Sequence, residues 1–233
     1  MTMINIVCLK YGKLYDASYV NKLYNMVSRN LKLPHKIVCF TDDACGINLN
    51  IECRPLPNDS RFTGWWWKPY IFAKGHFEPT DTNLFIDLDM VIVNDLEPLL
   101  TFSPGGIVGM RDVIATLQPN IRKLGSAVMR WQGDYSFLWD DLKANTGVMK
   151  SLRGDQDWIW HKLKDQMKLY PLNWIPSYKW GIRSKSEVIK RDGKFVFSCE
   201  RDVVVPNDAL ILAFHGTPNP EDVTDPVILK HWR

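Results

Sequence analysis

The stretch Asn83-Leu84-Phe85-Ile86-Asp87-Leu88-Asp89-Met90-Val91-Ile92 sets two acids inside an otherwise apolar, β-rich run. Asn83 to Ile86 has the composition of a buried strand, and it leads straight into Asp87 and Asp89 before apolar residues resume at Met90 to Val93. Two carboxylates one residue apart at the end of such a strand are costly without a cation, because unpaired charge in a low-dielectric surrounding is strongly disfavoured. A divalent ion removes that cost: magnesium and manganese take such oxygen ligands, commonly one or two carboxylates plus the diphosphate oxygens of a nucleotide. The plain alternative is a pair of solvated acids in a short polar loop. The apolar sequence on both sides argues against it.

Upstream of this stretch the pattern is strand, helix, strand. Ile4 to Leu9 is a compact β-rich run; Val20, Leu23, Tyr24, Val27 and Leu31 recur at helical spacing; Leu33-Pro34 breaks the helix; and Ile37 to Phe40 reads as the next buried strand. A βαβ unit implies a parallel sheet, whose ligands bind beyond the carboxyl ends of the strands. The polar loops Lys10-Tyr11-Gly12 and Thr41-Asp42-Asp43 stand in that place. Downstream, Trp65 to Phe72 reads as a helix with Lys68 in its first turns, Asp95 to Leu100 as a short helix or turn, and Gly106 to Met110 and Ala127 to Trp131 as strands. Tyr135, Leu138, Trp139 and Leu142 mark one helix face, Trp158, Ile159 and Leu163 another, and a last strand, Ala209 to Phe214, ends at His215-Gly216. The fold class expected is α/β, one domain over residues 1–233 with a mixed, mainly parallel central sheet.

Composition fits that frame. The chain has 233 residues, 45% of them hydrophobic and 24% charged, enough to bury a sizeable core and form a cleft. Its net charge of +3 is spread along the chain without a basic run, so nucleic acid is not indicated, although charge alone does not exclude it. No stretch has the apolar length of a membrane span, and the start lacks the basic and apolar signature of an export signal, which makes cytoplasmic residence the expectation. Five cysteines without a Cys-x-x-Cys pair, among them Cys8, Cys39, Cys53 and Cys199 in or beside strand-like runs, read as reduced thiols. Ten tryptophans are more unusual, since indole rings stack on sugar faces as well as fill cores.

Several short motifs then fall in order along the chain. Phe85 to Ile92 resembles the Asp-x-Asp segment of GT-A glycosyltransferases, particularly the group that includes glycogenin and bacterial lipopolysaccharide galactosyltransferases. Lys68 matches a lysine on the helix before that segment, and Gly125-Ser126-Ala127-Val128-Met129 is similar to an Asn-Ser-Gly-Val segment but lacks the Asn. Gly154-Asp155-Gln156 matches a Gly-Asp-Gln, and Phe214-His215-Gly216-Thr217-Pro218-Asn219-Pro220 follows the outline of a carboxyl-terminal histidine motif. Asn145-Thr146-Gly147-Val148-Met149 rivals the Ser126 segment but lies too close to Gly154-Asp155-Gln156. Asn219 stands where the family often has a diphosphate-binding lysine, so that contact is either missing or supplied by Lys68 or Lys230.

The resemblance implies a single GT-A domain that transfers a hexose from a nucleotide-sugar, a UDP-hexose by preference, with retention of configuration. It implies that Asp89 and His215 ligate Mn2+ or Mg2+, with Asp87 reaching the metal or the ribose, and that Gly216 and Ser126 belong to the donor site. Thr41 and Asp42 would bond the nucleobase, with Lys10 or Tyr11 lining the same pocket. Asp155 and Gln156 would face the anomeric carbon, Asp155 stabilising positive charge or acting as a transient nucleophile; a carboxylate there also suits a helix N-terminus. The tryptophans at 65 to 67, or Trp174 and Trp180, would form a wall beside the acceptor, although three consecutive indoles on a helix point in different directions and at least one belongs to the core. The acceptor stays open among a cell-surface oligosaccharide, a protein side chain and a modified base.

Two other readings compete. Asp87-Leu88-Asp89-Met90-Val91 fits the nucleophile signature of haloacid dehalogenase-like phosphatases, which would need Asp155 and Asp157 as a second acidic pair at a strand end. A non-catalytic carbohydrate-binding protein would use the tryptophans as platforms and have little use for the metal ligands.

Overall fold

The computed structural model describes residues 2–120, 123–182, 188–191, 194–197 and 203–233. Cys199 and part of the segment before Val203 lie outside these residues. Seven strands form one sheet in the order β3-β2-β1-β4-β7-β6-β8, where β1 is Ile4–Lys10, β2 Lys36–Thr41, β3 Glu52–Pro55, β4 Thr82–Ile86, β6 Ile107–Arg111, β7 Leu124–Trp131 and β8 Lys168–Leu169. Strands β3, β2, β1 and β4 run parallel to one another, and β7 runs antiparallel to both β4 and β6. This is the mixed, mainly parallel α/β sheet expected. Two further pairs are antiparallel: β5 (Met90–Ile92) with β11 (Ile211–Ala213), and β9 (Val188–Arg191) with β10 (Lys194–Phe197).

The sheet is apolar on both faces because helices cover both. On β1, Ile6 and Cys8 face one cluster with helix α1 (Ala17–Asn30), while Val7 faces the other with Trp67, Trp139 and Trp158. Helix α1 forms because its apolar residues recur every three to four positions and Asp16 caps its start, accepting the Ser18 N–H at 2.9 Å. It buries Tyr19, Val20, Leu23, Met26 and Val27. Each fully buried aliphatic of this kind contributes about 1.5–3 kcal/mol, and Leu23→Ala, which leaves a cavity under the sheet, would cost about 2–5 kcal/mol.

Helix α2 (Glu97–Thr101), α3 (Phe137–Ala144), α4 (Asp155–Leu163) and α5 (Pro226–His231) complete the described helices. The expected helix at Trp65 to Phe72 is instead a 3-10 helix, Gly64–Phe72. Pro69 lies inside it and cannot donate the bond that an α-helix needs there. The short strands β3 and β8 carry no alternation long enough to betray them in sequence, and both lie at sheet edges. Among the described cysteines, Cys8, Cys39, Cys45 and Cys53 are unpaired thiols; Cys8 and Cys39 are buried and Cys45 is exposed. Among the described residues no helix is long and apolar enough to cross a membrane.

Candidate active site

Strand β4 ends at Ile86, and the two acids follow at its carboxyl end, where the Asp87 N–H is fixed by the Ala127 carbonyl on β7 at 2.8 Å. A cleft of about 440 Å³ opens there. It gathers Lys68, Asp87, Asp89, Ser126, Asp155, Gln156, His215 and Gly216, residues drawn from five separate parts of the chain. Lys10, Tyr11, Thr41 and Asp42 are not among the residues that line it. Lys10 and Thr41 end β1 and β2 and Tyr11 and Asp42 open the loops after them; Asp42 accepts the Gly12 N–H through both carboxylate oxygens at 3.2 and 3.0 Å, while the Lys10 ammonium and the Thr41 hydroxyl donate to the Asp43 carbonyl at 3.1 and 2.9 Å.

The floor of the cleft is a charge network. The Lys68 ammonium lies 2.8 Å from Asp87 Oδ2 and 3.5 Å from Asp155 Oδ2, and it donates to Ser126 Oγ at 3.2 Å. Ser126 Oγ in turn donates to Asp155 Oδ2 at 2.7 Å. Burial alone would lower the lysine pKa, but the carboxylates of Asp155 and Asp87 more than offset it and hold the ammonium above its ordinary value. Lys68 is thus the internal counter-ion of two acids rather than a cation turned to a ligand. Asp155 opens helix α4, as a dipole argument anticipates, yet its carboxylate faces Ser126 and Lys68 and is only 5% exposed. Ser126 lines the cleft, whereas the segment at 145–149, most of it in the 3-10 helix Thr146–Lys150, does not.

Among the described residues, Asp89 has no such counter-ion in contact. Desolvation first, and then the Asp87 charge, push its carboxyl up to about 7, and its Oδ2 accepts a bond from the Tyr15 hydroxyl at 3.3 Å. Asp87 is likewise raised by desolvation against the pull of Lys68. His215 is pushed down to about 4, by desolvation and then by Lys179, so its ring is neutral at pH 7. Its Nε2 lies 2.8 Å from Ser177 Oγ, and Trp180 packs edge-on against the ring at 4.4 Å. Gly216 follows with φ of 59°, a left-handed turn that favours glycine and redirects the chain after His215. The buried Lys179 ammonium donates to the His215 carbonyl and would stand 3.6 Å from a Cβ at Gly216.

In kind, two carboxylates and a neutral imidazole fit a divalent cation. In position they do not close a ligand set by themselves: among the described residues, no three His, Cys, Asp or Glu groups converge to hold a metal ion.

The structure also recruits residues that the sequence reading passed over. Asp112 follows β6 as Asp87 follows β4; its Oδ1 accepts the Ile114 N–H at 3.0 Å and its Oδ2 accepts the Gln156 amide at 2.7 Å. The rule that ligand-binding residues follow strands would have found it. Tyr15 and Ser177 carried no comparable signal, because their partners lie 74 and 38 residues away. The tryptophans separate as geometry requires. Trp67 is core, stacked on Trp139 at 5.9 Å; Trp174 packs on Phe102 at 5.4 Å; Trp180 guards His215; and Trp65 lines the cleft. Asp155 and Asp157 both lie in the first turn of α4, so the strand-end acidic pair that the phosphatase reading requires is not formed by them.

Solved structures with the same architecture are glycosyltransferases. The galactosyltransferase LgtC, crystallised with donor and acceptor sugar analogues, matches with a TM-score of 0.61 over 93% of this chain and 88% of its own, at 11% identity; another LgtC structure is of an active-site variant with glutamine replaced by glutamate. The bifunctional glycosyltransferase WbbM matches with a TM-score of 0.60 at 14% identity, over 94% of this chain and 47% of its own. The glycosyltransferase GlyE of Streptococcus pneumoniae TIGR4 matches with a TM-score of 0.52 at 14% identity, over 75% of this chain and 46% of its own. The chain therefore spans about half the length of GlyE and WbbM. No protein-family model and no curated protein matches the sequence. At these identities the likeness is one of architecture, and the chain has the GT-A fold of these enzymes.

Proposed function

We propose that the protein is a glycosyltransferase that moves a hexose from a nucleotide-sugar, a UDP-hexose by family resemblance, to an acceptor hydroxyl. The observation that carries this reading is the convergence of Asp87, Asp89, Ser126, Asp155, Gln156 and His215 on one cleft at the end of β4. The GT-A fold raises its weight but does not settle chemistry.

Asp87 and Asp89 are the groups to hold a divalent cation, manganese or magnesium, with His215 as a third ligand once its ring turns from Ser177. Donor diphosphate oxygens would complete the coordination of such an ion, which would tie cation affinity to the nucleotide-sugar. When bound, such an ion stabilises the leaving diphosphate as a Lewis acid. The chain's own residues do the rest. Lys68 pairs with Asp87 and Asp155 and holds both side chains in place. The Asp155 charge, buried beside the cleft, favours positive charge on the reacting sugar, a role that suits it better than nucleophile given its bonds to Ser126 and proximity to Lys68.

Gln156 is oriented by the bond its amide donates to Asp112, which leaves its amide oxygen and second N–H for the cleft; that LgtC has a glutamine in its active site supports a place for Gln156 there. In the transfer, the bond from the anomeric carbon to the diphosphate oxygen breaks with its electron pair leaving on the diphosphate. The carbon bonds the acceptor oxygen, and the acceptor proton passes to the departing diphosphate. Retention of configuration follows the family resemblance.

The test is a thermal-shift panel of nucleotide-sugars with and without Mn2+. One donor raising Tm by several degrees only when the metal is present is the expected result, through ligand linkage. A panel in which no nucleotide-sugar moves Tm contradicts the reading.

A further inference from the structure

Trp65 is 58% exposed, an unusual state for an indole whose burial would stabilise the fold. Among the described residues, it alone of the exposed large apolar side chains lines the cleft. Its position is built rather than incidental. The indole rests on Gly154, the residue before Asp155 and Gln156, so closely that a Cβ there would stand 3.0 Å from Trp65 Nε1 and 3.2 Å from its Cδ1. Beside it at the mouth, Arg153 and Asp157 form a two-pronged pair, Nε to Oδ2 and Nη2 to Oδ1, both at 3.0 Å. Two of the guanidinium's five N–H donors are used in this way, and the side chain is 75% exposed.

An aromatic face next to planar, doubly hydrogen-bonded polar groups matches the chemistry of a pyranose, which has an apolar C–H face and a rim of hydroxyls that both donate and accept. An anionic acceptor fits these groups poorly, because Asp112 and Asp157 line the cleft with them and the cation proposed at Asp87 and Asp89 is committed to the donor diphosphate. We propose that Trp65, Arg153 and Asp157 form the acceptor subsite and that the acceptor is a neutral saccharide, one pyranose stacked on the Trp65 indole with its hydroxyls on the Arg153–Asp157 pair. The proposal rests on the transferase reading, since it places the acceptor beside Gln156 and the donor deeper in the cleft.

Saturation-transfer NMR with lactose, methyl α-D-glucopyranoside and methyl β-D-galactopyranoside, in the presence of UDP and Mg2+, tests it. Wild-type protein saturates at least one of these sugars. Trp65→Ala weakens that sugar about tenfold, as loss of one stacking contact of about 1.4 kcal/mol requires. Trp65→Phe, which keeps an aromatic face, weakens it less, and Gly154→Ala, which crowds the indole, weakens it measurably. Trp65→Ala retains the thermal shift given by the nucleotide-sugar, which separates acceptor loss from unfolding and from donor loss. Equal sugar affinity in wild type and Trp65→Ala overturns the proposal, as does a wild-type protein that is stabilised by a nucleotide-sugar yet saturates none of the three sugars. A wild type that no nucleotide-sugar stabilises sinks the transferase reading beneath it.

Discussion

Two ends of neighbouring parallel strands handle their polar residues in opposite ways. After β4, the charges of Lys68, Asp87 and Asp155 are packed together with Ser126, and each depends on a partner brought from another part of the chain. After β1 and β2, Lys10, Thr41 and Asp42 satisfy one another's loops through backbone groups. The first arrangement is rigid and costly to disturb, and the second is adjustable.

The largest expected contrast comes from Lys68. Lys68→Met leaves the buried Asp155 carboxylate and the partly exposed Asp87 carboxylate without their counter-ion and is expected to cost about 3 kcal/mol by urea denaturation, together with transferase activity. Asp155→Asn tests the electrostatic role assigned to its charge; full activity in that variant would remove the role. Asp112→Ala sharpens the comparison within the cleft, since it releases Gln156 without touching the charge network. Turnover should fall on the order of tenfold with donor affinity nearly unchanged, and a change in KM alone would speak against positioning.

On the adjustable side, Asp42→Ala removes two bonds to one exposed N–H and should cost about 1 kcal/mol or less, read by the same denaturation.

The smallest effect concerns pH and a region remote from the cleft. Desolvation, and then Arg54, push His76 down to about 4. The folded chain therefore favours the neutral ring, while the unfolded chain takes up a proton near the ordinary value of about 6.5. Stability from this group is complete above that value and declines as pH falls from there towards 4. The Tm difference between pH 7.5 and pH 5 should shrink in His76→Phe relative to wild type.

How far the sequence foretold this follows from the range of each interaction. Strand β1, helix α1 and strand β2 were legible because their apolar periods are local, and Asp87 and Asp89 stood out because a strand cannot end in two acids without consequence. The antiparallel insertion of β7 beside β4 was not legible, since pairing Phe85 with Met129 depends on chain separated by some forty residues. The same limit hid Tyr15 and Ser177. It also hid the pairing of Lys68 with Asp87 and Asp155, which are 19 residues or more away in sequence. Among the cations near Gly216 it is Lys179, not the exposed Lys230, whose ammonium stands close to the turn.

The most direct measurement of the central claim is Mn2+ binding followed by electron paramagnetic resonance, with and without UDP, in wild type and Asp89→Asn. Wild type should bind the ion tightly only when the nucleotide is present, because its own side chains leave the coordination open, and Asp89→Asn should lose that binding while remaining folded. Equal ion binding by both proteins, or no bound ion in wild type at saturating UDP, would contradict the account.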